Sequence, residues 1–417
     1  MRVFRQRILT ASALPAVAMV AVACSASAWE GKAPAEPRSQ TSLVSADAGR
    51  SKTKPAAPAK TSWASFRNGH AQLGVAGSKL PDKLELLWKK RTEHGVVATS
   101  AVVGEHVYVP ALSGQLFCLD RKTGAEIWTY RSIAGKDPDD FAPGFKAAPT
   151  VTADTVFVGD EDGVVHAVNR ATGKKRWTFT TGAEIAGGVA VVGEHVIVGS
   201  HDSFLYCLKR KDGKVHWKFQ TMDRVNCAPA IAGGYTFVAG CDEHLRVINI
   251  KTGKEKTDIP LKSYLIASPA VVGDVLYVGT YKGEVLAVNW KTKAFLWRYN
   301  DPNKSPEFHA SAAVTDKYVV VGARDKQLHC LDRKTGGLKW TFPTRAQINS
   351  SAAIVGNRVF FGSDDRNIYG VRLSDGKQLW KFNAGGAVIA GPAVGENVLV
   401  VGAADTGGHI YCFGKKD

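Results

Sequence analysis

The sequence predicts an all-β fold, an eight-bladed β-propeller of four-stranded antiparallel blades closed by an N-terminal strand that completes the last blade. Three observations predict it. A unit of roughly forty residues recurs along the chain, an apolar-Val-Gly step marks its copies, and each chain end holds the part of a copy that the other end lacks. A solenoid would also repeat, but it would not need its first strand to finish its last repeat.

Residues 110–128, PALSGQLFCLDRKTGAEIW, return as GDEDGVVHAVNRATGKKRW at 159–177, GSHDSFLYCLKRKDGKVHW at 199–217 and GARDKQLHCLDRKTGGLKW at 322–340. Residues 107–109 and 116–119 alternate with the two-residue period of half-buried strands, and SG and DRKTG supply turn chemistry around them. Gly124 suits a positive φ, Asp120 can accept from backbone N–H groups of the same turn, and Trp128 follows the glycine by four residues. That docking position is held by Trp88, Trp128, Trp177, Trp217, Trp297, Trp340 and Trp380, with Thr257 in place of Trp in the fourth copy. Lys293 replaces the turn glycine in the fifth. Successive gaps are 40, 49, 40, 40, 40, 43 and 40 residues, and the Val-Gly step or its equivalent (Val109-Pro110, Val158-Gly159, Val198-Gly199, Val238-Ala239, Val278-Gly279, Val321-Gly322, Phe361-Gly362, Val401-Gly402) occurs eight times. Trp88 sits in a strand, LELLWKKR at 84–91, whose companions are missing, and residues 392–413 supply strands with no Trp strand after them. Joining the two leaves no open sheet edge.

The chain has 417 residues, 45% of them hydrophobic, and a formal charge of +16. Residues 1–62 hold nine Lys or Arg against three Asp or Glu, leaving 16 − 6 = +10 on the repeats. Over so large a surface that is a modest excess, and no basic run is interleaved with aromatics, so nucleic-acid binding is not expected. Residues 1–28 read as an export signal, with Arg2, Arg5 and Arg7 before an apolar run. Two cleavage readings stand side by side: Ala26-Ser27-Ala28 would release a soluble protein starting at Trp29, and Ala21-Val22-Ala23-Cys24 resembles a lipobox that would lipidate Cys24. Residues 29–62, rich in Pro, Ala, Ser and Lys, read as a disordered tether, and 63–417 as the propeller.

The motif D-x-x-T-G-x-x-x-W, at 120–128 and 332–340, resembles the tryptophan-docking motif of the pyrroloquinoline-quinone-type propellers, and the resemblance spans residue 63 to the end. Quinoprotein dehydrogenases of that family carry a vicinal disulfide, acidic and amide ligands for calcium, and sizeable insertions. This chain has no Cys-Cys pair and little beyond its repeats, so no cofactor, metal site or catalytic residue is assigned. A quinone- or metal-dependent oxidoreductase stands as the alternative reading, alongside a small ligand or polysaccharide in the central funnel.

Cys118, Cys207, Cys330 and Cys412 share one repeat position that Ala167, Ala287, Val247 and Gly370 fill elsewhere, which asks for a small buried group. Cys227 and Cys241 flank a hairpin in an oxidising compartment, so a disulfide is one reading. The register set by a Gly233-Gly234 turn pairs Cys227 with Gly240 and turns Cys241 to the other face, which gives two free thiols instead. His166 and His329 take a strand position held elsewhere by Phe117, Tyr206 and Tyr369 and read as packing residues. Residues 160–163, DEDG, read as an acidic β-turn rather than a calcium loop.

The loops leading into the innermost strands read GVVATS, GFKAAP, EIAGGV, RVNCAP, YLIASP, EFHASA, QINSSA and AVIAGP. Their second position is apolar throughout, while the first and third vary and include Lys146, Glu184, Arg224, Asn226, Tyr264, Glu307, His309, Gln347 and Asn349. Polar variety on a repeated frame is what a binding face looks like. The insertion 132–144 adds an acidic lobe to the same face. RVNCAP, residues 224–229, resembles the basic R-x-x-x-A-P loop of the propeller lipoproteins of the outer-membrane β-barrel assembly machinery, in which such loops contact a partner subunit; YLIASP stands where that family tends to place acids. The resemblance implies a non-catalytic interaction scaffold of the bacterial cell envelope. It would be a single ring within a complex, periplasmic, and anchored to the outer membrane by lipid if Cys24 is the N-terminus.

Overall fold

The computed structural model describes residues 58–135, 140–301, 306–404 and 407–416, so the export signal, Cys24 and most of the tether lie outside the described residues. Eight four-stranded antiparallel sheets follow one another along the chain. Blades one to seven occupy residues 101–131, 150–180, 190–220, 230–260, 270–300, 313–343 and 353–383. The eighth joins Ala393–Gly395, Val398–Ala403 and His409–Gly414 to the N-terminal strand Glu85–Arg91, which pairs antiparallel with the last of them. The ring is therefore closed by main-chain hydrogen bonds between its two ends. Within each blade the middle strands are almost wholly buried, as the alternating apolar pattern demands.

The tryptophans hold one blade to the next. Trp88, Trp128, Trp177, Trp217, Trp297 and Trp340 each donate from Nε1, at 2.7–3.1 Å, to a carbonyl in the turn before the outermost strand of the following blade, at Arg121, Arg170, Arg210, Ile250, Arg333 and Leu373. Their rings lie flat on that turn's glycine. A Cβ on Gly213 would come within 2.6 Å of the Trp177 ring, and Gly124, Gly173, Gly253, Gly336 and Gly376 are as tightly covered. Across the strand, each tryptophan stands opposite the small repeat position: Cys118, Ala167, Cys207, Ala287, Cys330, Gly370 or Cys412. Trp380 has no such turn to dock on, because blade eight changes chain ends there; it packs edge-on against Phe413 instead.

The two irregularities in the repeat share one cause. Thr257 leaves no indole to press on the fifth blade's turn, so Lys293 can stand where the others have glycine, at φ 63°. The same loss lets the small position opposite widen to Val247. Trp290, buried in the fifth blade, fills the space by laying its ring edge-to-face on Phe237 of the fourth, 5.4 Å between centroids.

Ahead of the closing strand, residues 61–78 make a full circuit of the inner strands. Thr61 O accepts from Glu396 N in blade eight, Trp63 exchanges two 2.8 Å bonds with Val102 in blade one, and Ala64 O accepts from Val151 N in blade two. His70 donates from Nε2 to Val191 O in blade three and accepts at its own carbonyl from Ile231 N in blade four. Ala71, Leu73 and Gly74 then accept from Val271, Val314 and Ile354 of blades five to seven, and Ser78 Oγ accepts from Asn397 N, back in blade eight. The axial edges of eight inner strands would otherwise present unpaired polar groups. Ser62, the last residue of the segment read as tether, is buried and donates to Glu396 at 2.8 Å.

Removing a docking ring should cost more than any turn can recover. Trp177→Ala should lose about 3 kcal/mol of stability through lost burial and the cavity left behind. Gly213→Ala should lose about 2 kcal/mol, because its Cβ strikes the same indole. Lys293→Gly should be neutral or stabilising by up to about 1 kcal/mol, since it relieves a left-handed backbone with no tryptophan above it. Thermal melts of the three variants check the order.

Candidate functional site

The lead-in loops are built on a main-chain ring that repeats in all eight blades. In each blade the amide two residues beyond the Val-Gly step donates to the carbonyl at the loop's first position, as His201 does to Glu184, Tyr281 to Tyr264 and Arg324 to Glu307. The amide at the loop's second position donates backwards to the preceding blade, as Ile185 does to Asp160 and Val225 to Ser200. The second-position side chains, Val96, Phe145, Ile185, Val225, Leu265, Phe308, Ile348 and Val388, are at most 1% exposed. They press on the glycine of the Val-Gly step in the blade before; a Cβ on Gly199 would lie 2.3 Å from Val225 Cγ1. That close approach is why six of the eight steps end in glycine. The result is a rigid rim on which only side chains vary.

Those side chains form an arc over blades two to seven. Lys146 bridges Glu161 Oε1 at 2.6 Å and Glu184 Oε1 at 3.2 Å, tying blade two to blade three. Glu184 also lies 3.7 Å from His201 Nδ1, and Asn226 donates to Cys241 Sγ at 2.9 Å. Arg224 is half-buried, and among the described residues its guanidinium makes no ion pair. In blades five and six, Tyr264 meets Tyr281 edge-on, Tyr281 stacks on His309 with 5.7 Å between centroids, and Glu307 holds Arg324 Nη1 at 2.6 Å and lies 3.0 Å from His309 Nε2. Arg324 Nε donates to Gln347 Oε1 at 3.0 Å, and Asn349 donates to Asp364 Oδ2 at 2.8 Å. Met222, Tyr264, Ile266, Tyr281 and Ile389 are exposed on or beside these loops, and Phe141 in the insertion is 81% exposed.

All nine polar positions singled out from the sequence are thus on this rim, and the structure joins most of them in pairs. Reading the loops alone missed their partners: Glu161, His201, Tyr281, Arg324 and Asp364 all stand two residues beyond the Val-Gly step. Aligning that position as the loops were aligned would have found them. The two cysteines stay apart as free thiols, because the Ala232–Tyr235 turn keeps the register that separates their faces. Cys227 Sγ accepts from Ala239 N, while Cys241 serves Asn226. Asp160 is buried, bonded to Val164 N at 2.7 Å and His166 Nε2 at 2.8 Å, and His166 bonds Tyr130 OH. His329 bonds Tyr299 and Asp325 in the same way, so both histidines are structural hydrogen-bonding residues.

A quinone cofactor does not fit this axis. The chain has no adjacent cysteines, and the inner loops lock directly to one another: Ala228 N, Ser268 N and Ser311 N donate to Ser268, Ser311 and Ser351 hydroxyls, each at 2.9 Å. A Cβ on Gly391 would meet Thr99 Oγ1 at 2.6 Å. Among the described residues, no three His, Cys, Asp or Glu side chains converge as metal ligands.

The sequence matches the family described as outer membrane protein assembly factor BamB over residues 81–184, 161–307 and 294–413. Curated relatives include quinoprotein ethanol dehydrogenase of Pseudomonas aeruginosa, 39% identical over 83 residues, and quinohemoprotein alcohol dehydrogenase of Comamonas testosteroni, 34% identical over 120. The matches cover 19% and 26% of this chain but only 13% and 16% of those proteins. Among solved structures, BamB from Moraxella catarrhalis superposes with a TM-score of 0.67 at 17% identity, covering 80% of this chain and 98% of that one. The Comamonas testosteroni dehydrogenase gives 0.71 at 15% identity, covering 86% and 82%. The computationally designed Ika8 protein gives 0.69 at 19%, covering 80% and 100%. At these identities the superpositions establish the fold.

Burial pushes the imidazoles of His201 and His309 below their usual 6.5, with the nearby Arg224 and Arg324 guanidinium groups acting in the same direction. The unfolded chain then binds these protons more readily than the folded one, so the rim's contribution to stability is complete above pH 6.5 and falls as pH drops below it. Melting temperature should decline between about pH 7.5 and about pH 5.5, and His309→Gln should reduce that decline.

Proposed function

The chain belongs to the family described as outer membrane protein assembly factor BamB, and from that premise we propose that it is a non-catalytic scaffold of the bacterial cell envelope that binds a protein partner of the outer-membrane assembly machinery through its lead-in loops. The observation that carries this reading is the rim itself. Its backbone is bonded identically in every blade, while its side chains differ blade by blade and pair across blade boundaries. Repetition serves the ring, and variation confined to one rigid face serves recognition. Exposed Met222, Tyr264, Ile266 and Tyr281 stand on or beside the lead-in loops of blades four and five, the first of which carries Arg224, a mixture of aromatic, apolar and guanidinium groups suited to a protein interface. The short share of each dehydrogenase that matches, and a designed protein with the same architecture, fit a scaffold whose blades carry no chemistry of their own. Export and attachment through Cys24 complete the proposal, since such a partner is met only outside the cytoplasm.

Arg224→Ala and Tyr264→Ala should leave the melting temperature unchanged and together weaken partner capture by about tenfold. A photo-crosslinking residue at 264 should join the protein to an outer-membrane assembly subunit, and one at Lys317, on the opposite turns, should not. Equal crosslinking at both positions, or loss of melting temperature in the two variants, would refute the assignment of recognition to the rim.

A further inference from the structure

The circuit of residues 61–78 carries a charged group to a place where no acidic group among the described residues neutralises it. Arg67 is 1% exposed. Its Nη1 donates to Ala352 O, at the end of the seventh blade's lead-in loop, while Nε and Nη2 are buried without a partner among the described residues. Gly74, at φ 65°, lies flush against the guanidinium; a Cβ there would sit 1.9 Å from Nη2, so the backbone is shaped around the charge. The loop that carries the arginine is fixed at both ends by the 2.8 Å bond from Gly74 N to Arg67 O and by the bond from Asn68 Nδ2 to Val75 O.

Among the described residues, no acidic group contributes at this site. Burial alone lowers the Arg67 guanidinium to about 9, with no carboxylate acting on it, so it is still charged at neutral pH. Two further polar atoms on the same segment and the same ring of loops are also buried without partners: Gln72 Oε1, whose amide nitrogen is spent on Ala228 O and Pro229 O, and Ser100 Oγ, two blades round from Ala352. A buried cation with two donor nitrogens directed at no acceptor is strongly unfavourable unless an external acceptor supplies the missing charge. Because Arg67 is only 1% exposed, that acceptor must be small, and because one cation faces it, a single negative charge balances it.

We propose that Arg67 holds a small monovalent anion of the chloride class on the inside of the ring, accepting from Nε and Nη2, with water satisfying Gln72 Oε1. The anion would be a structural ligand that ties the circuit to the blades. It binds the folded ring only, so it stabilises by mass action.

Thermal melts of the full chain, with chloride titrated against gluconate at constant ionic strength and pH 7, test this. The expected result is a melting temperature that rises with chloride and saturates, and an Arg67→Met variant that lacks the saturating rise while Arg324→Met on the rim keeps it. Should Arg67→Met fail to fold, crystals of the unaltered protein soaked in bromide decide the matter by an anomalous peak within hydrogen-bond distance of the guanidinium. No saturating chloride effect, a saturating effect that survives in Arg67→Met, or density for water alone beside Nε and Nη2 would each overturn the proposal.

Discussion

Each blade is finished by its neighbour. An indole from one sheet lies on a glycine of the next and donates to a carbonyl of the same turn, so neither surface is satisfied until both blades are in place. The contact fixes three residues at once: the tryptophan, the glycine beneath it, and the small side chain opposite it across the strand. Where the tryptophan is missing all three change together, as Thr257, Lys293 and Val247 do, and a different indole, Trp290, is brought in to cover Phe237. The repeat is therefore a record of one interface made six times over by the same parts, with the gap at Thr257 repaired from the adjoining blade and Trp380 packed on Phe413 where the chain ends meet.

That interface is also why so much of the fold could be read from the residues. Tryptophan and glycine at fixed spacing, apolar alternation and complementary chain ends specify strands, turns, blade number and closure without reference to anything distant. The circuit of residues 61–78 obeys no period. Its bonds are made by backbone atoms of Ala64, Ala71, Leu73 and Gly74, whose side chains carry no signal of what their carbonyls accept, so only the folded ring displays it. Trp290 was invisible as a docking residue for a related reason: it stands outside the position that defines the motif. On the rim, loop alignment exposed Lys146, Glu184 and Glu307 but not Glu161 or Arg324, because the two halves of each pair come from different turns of the blade.

The rim and the axis divide the polar groups between them. On the rim, charges are matched across blades, as in Lys146 with Glu161 and Glu184 or Arg324 with Glu307, and their side chains remain within reach of solvent. Such pairs contribute little to stability individually, and their arrangement is free to follow what the face must recognise. On the axis the groups are few, buried and backbone-bonded, and the cost of leaving one unmatched is high. Similarity to both an assembly factor and alcohol dehydrogenases reflects the blades, which all of them share; the differences between them have to be sought in the loops and along the axis.

The circuit has a bearing on how the molecule comes into being. Thr61 bonds to Glu396, 335 residues away, and the strand Glu85–Arg91 pairs with the last strand of the chain. Thr61, Ser62 and the strand Glu85–Arg91 thus have no docking place until blade eight has formed, whereas Trp63 and Ala64 bond to blades one and two. Contacts of such long span slow folding. A chain released one blade short would hold seven well-formed sheets and leave the strand Glu85–Arg91 without the partner that closes the ring.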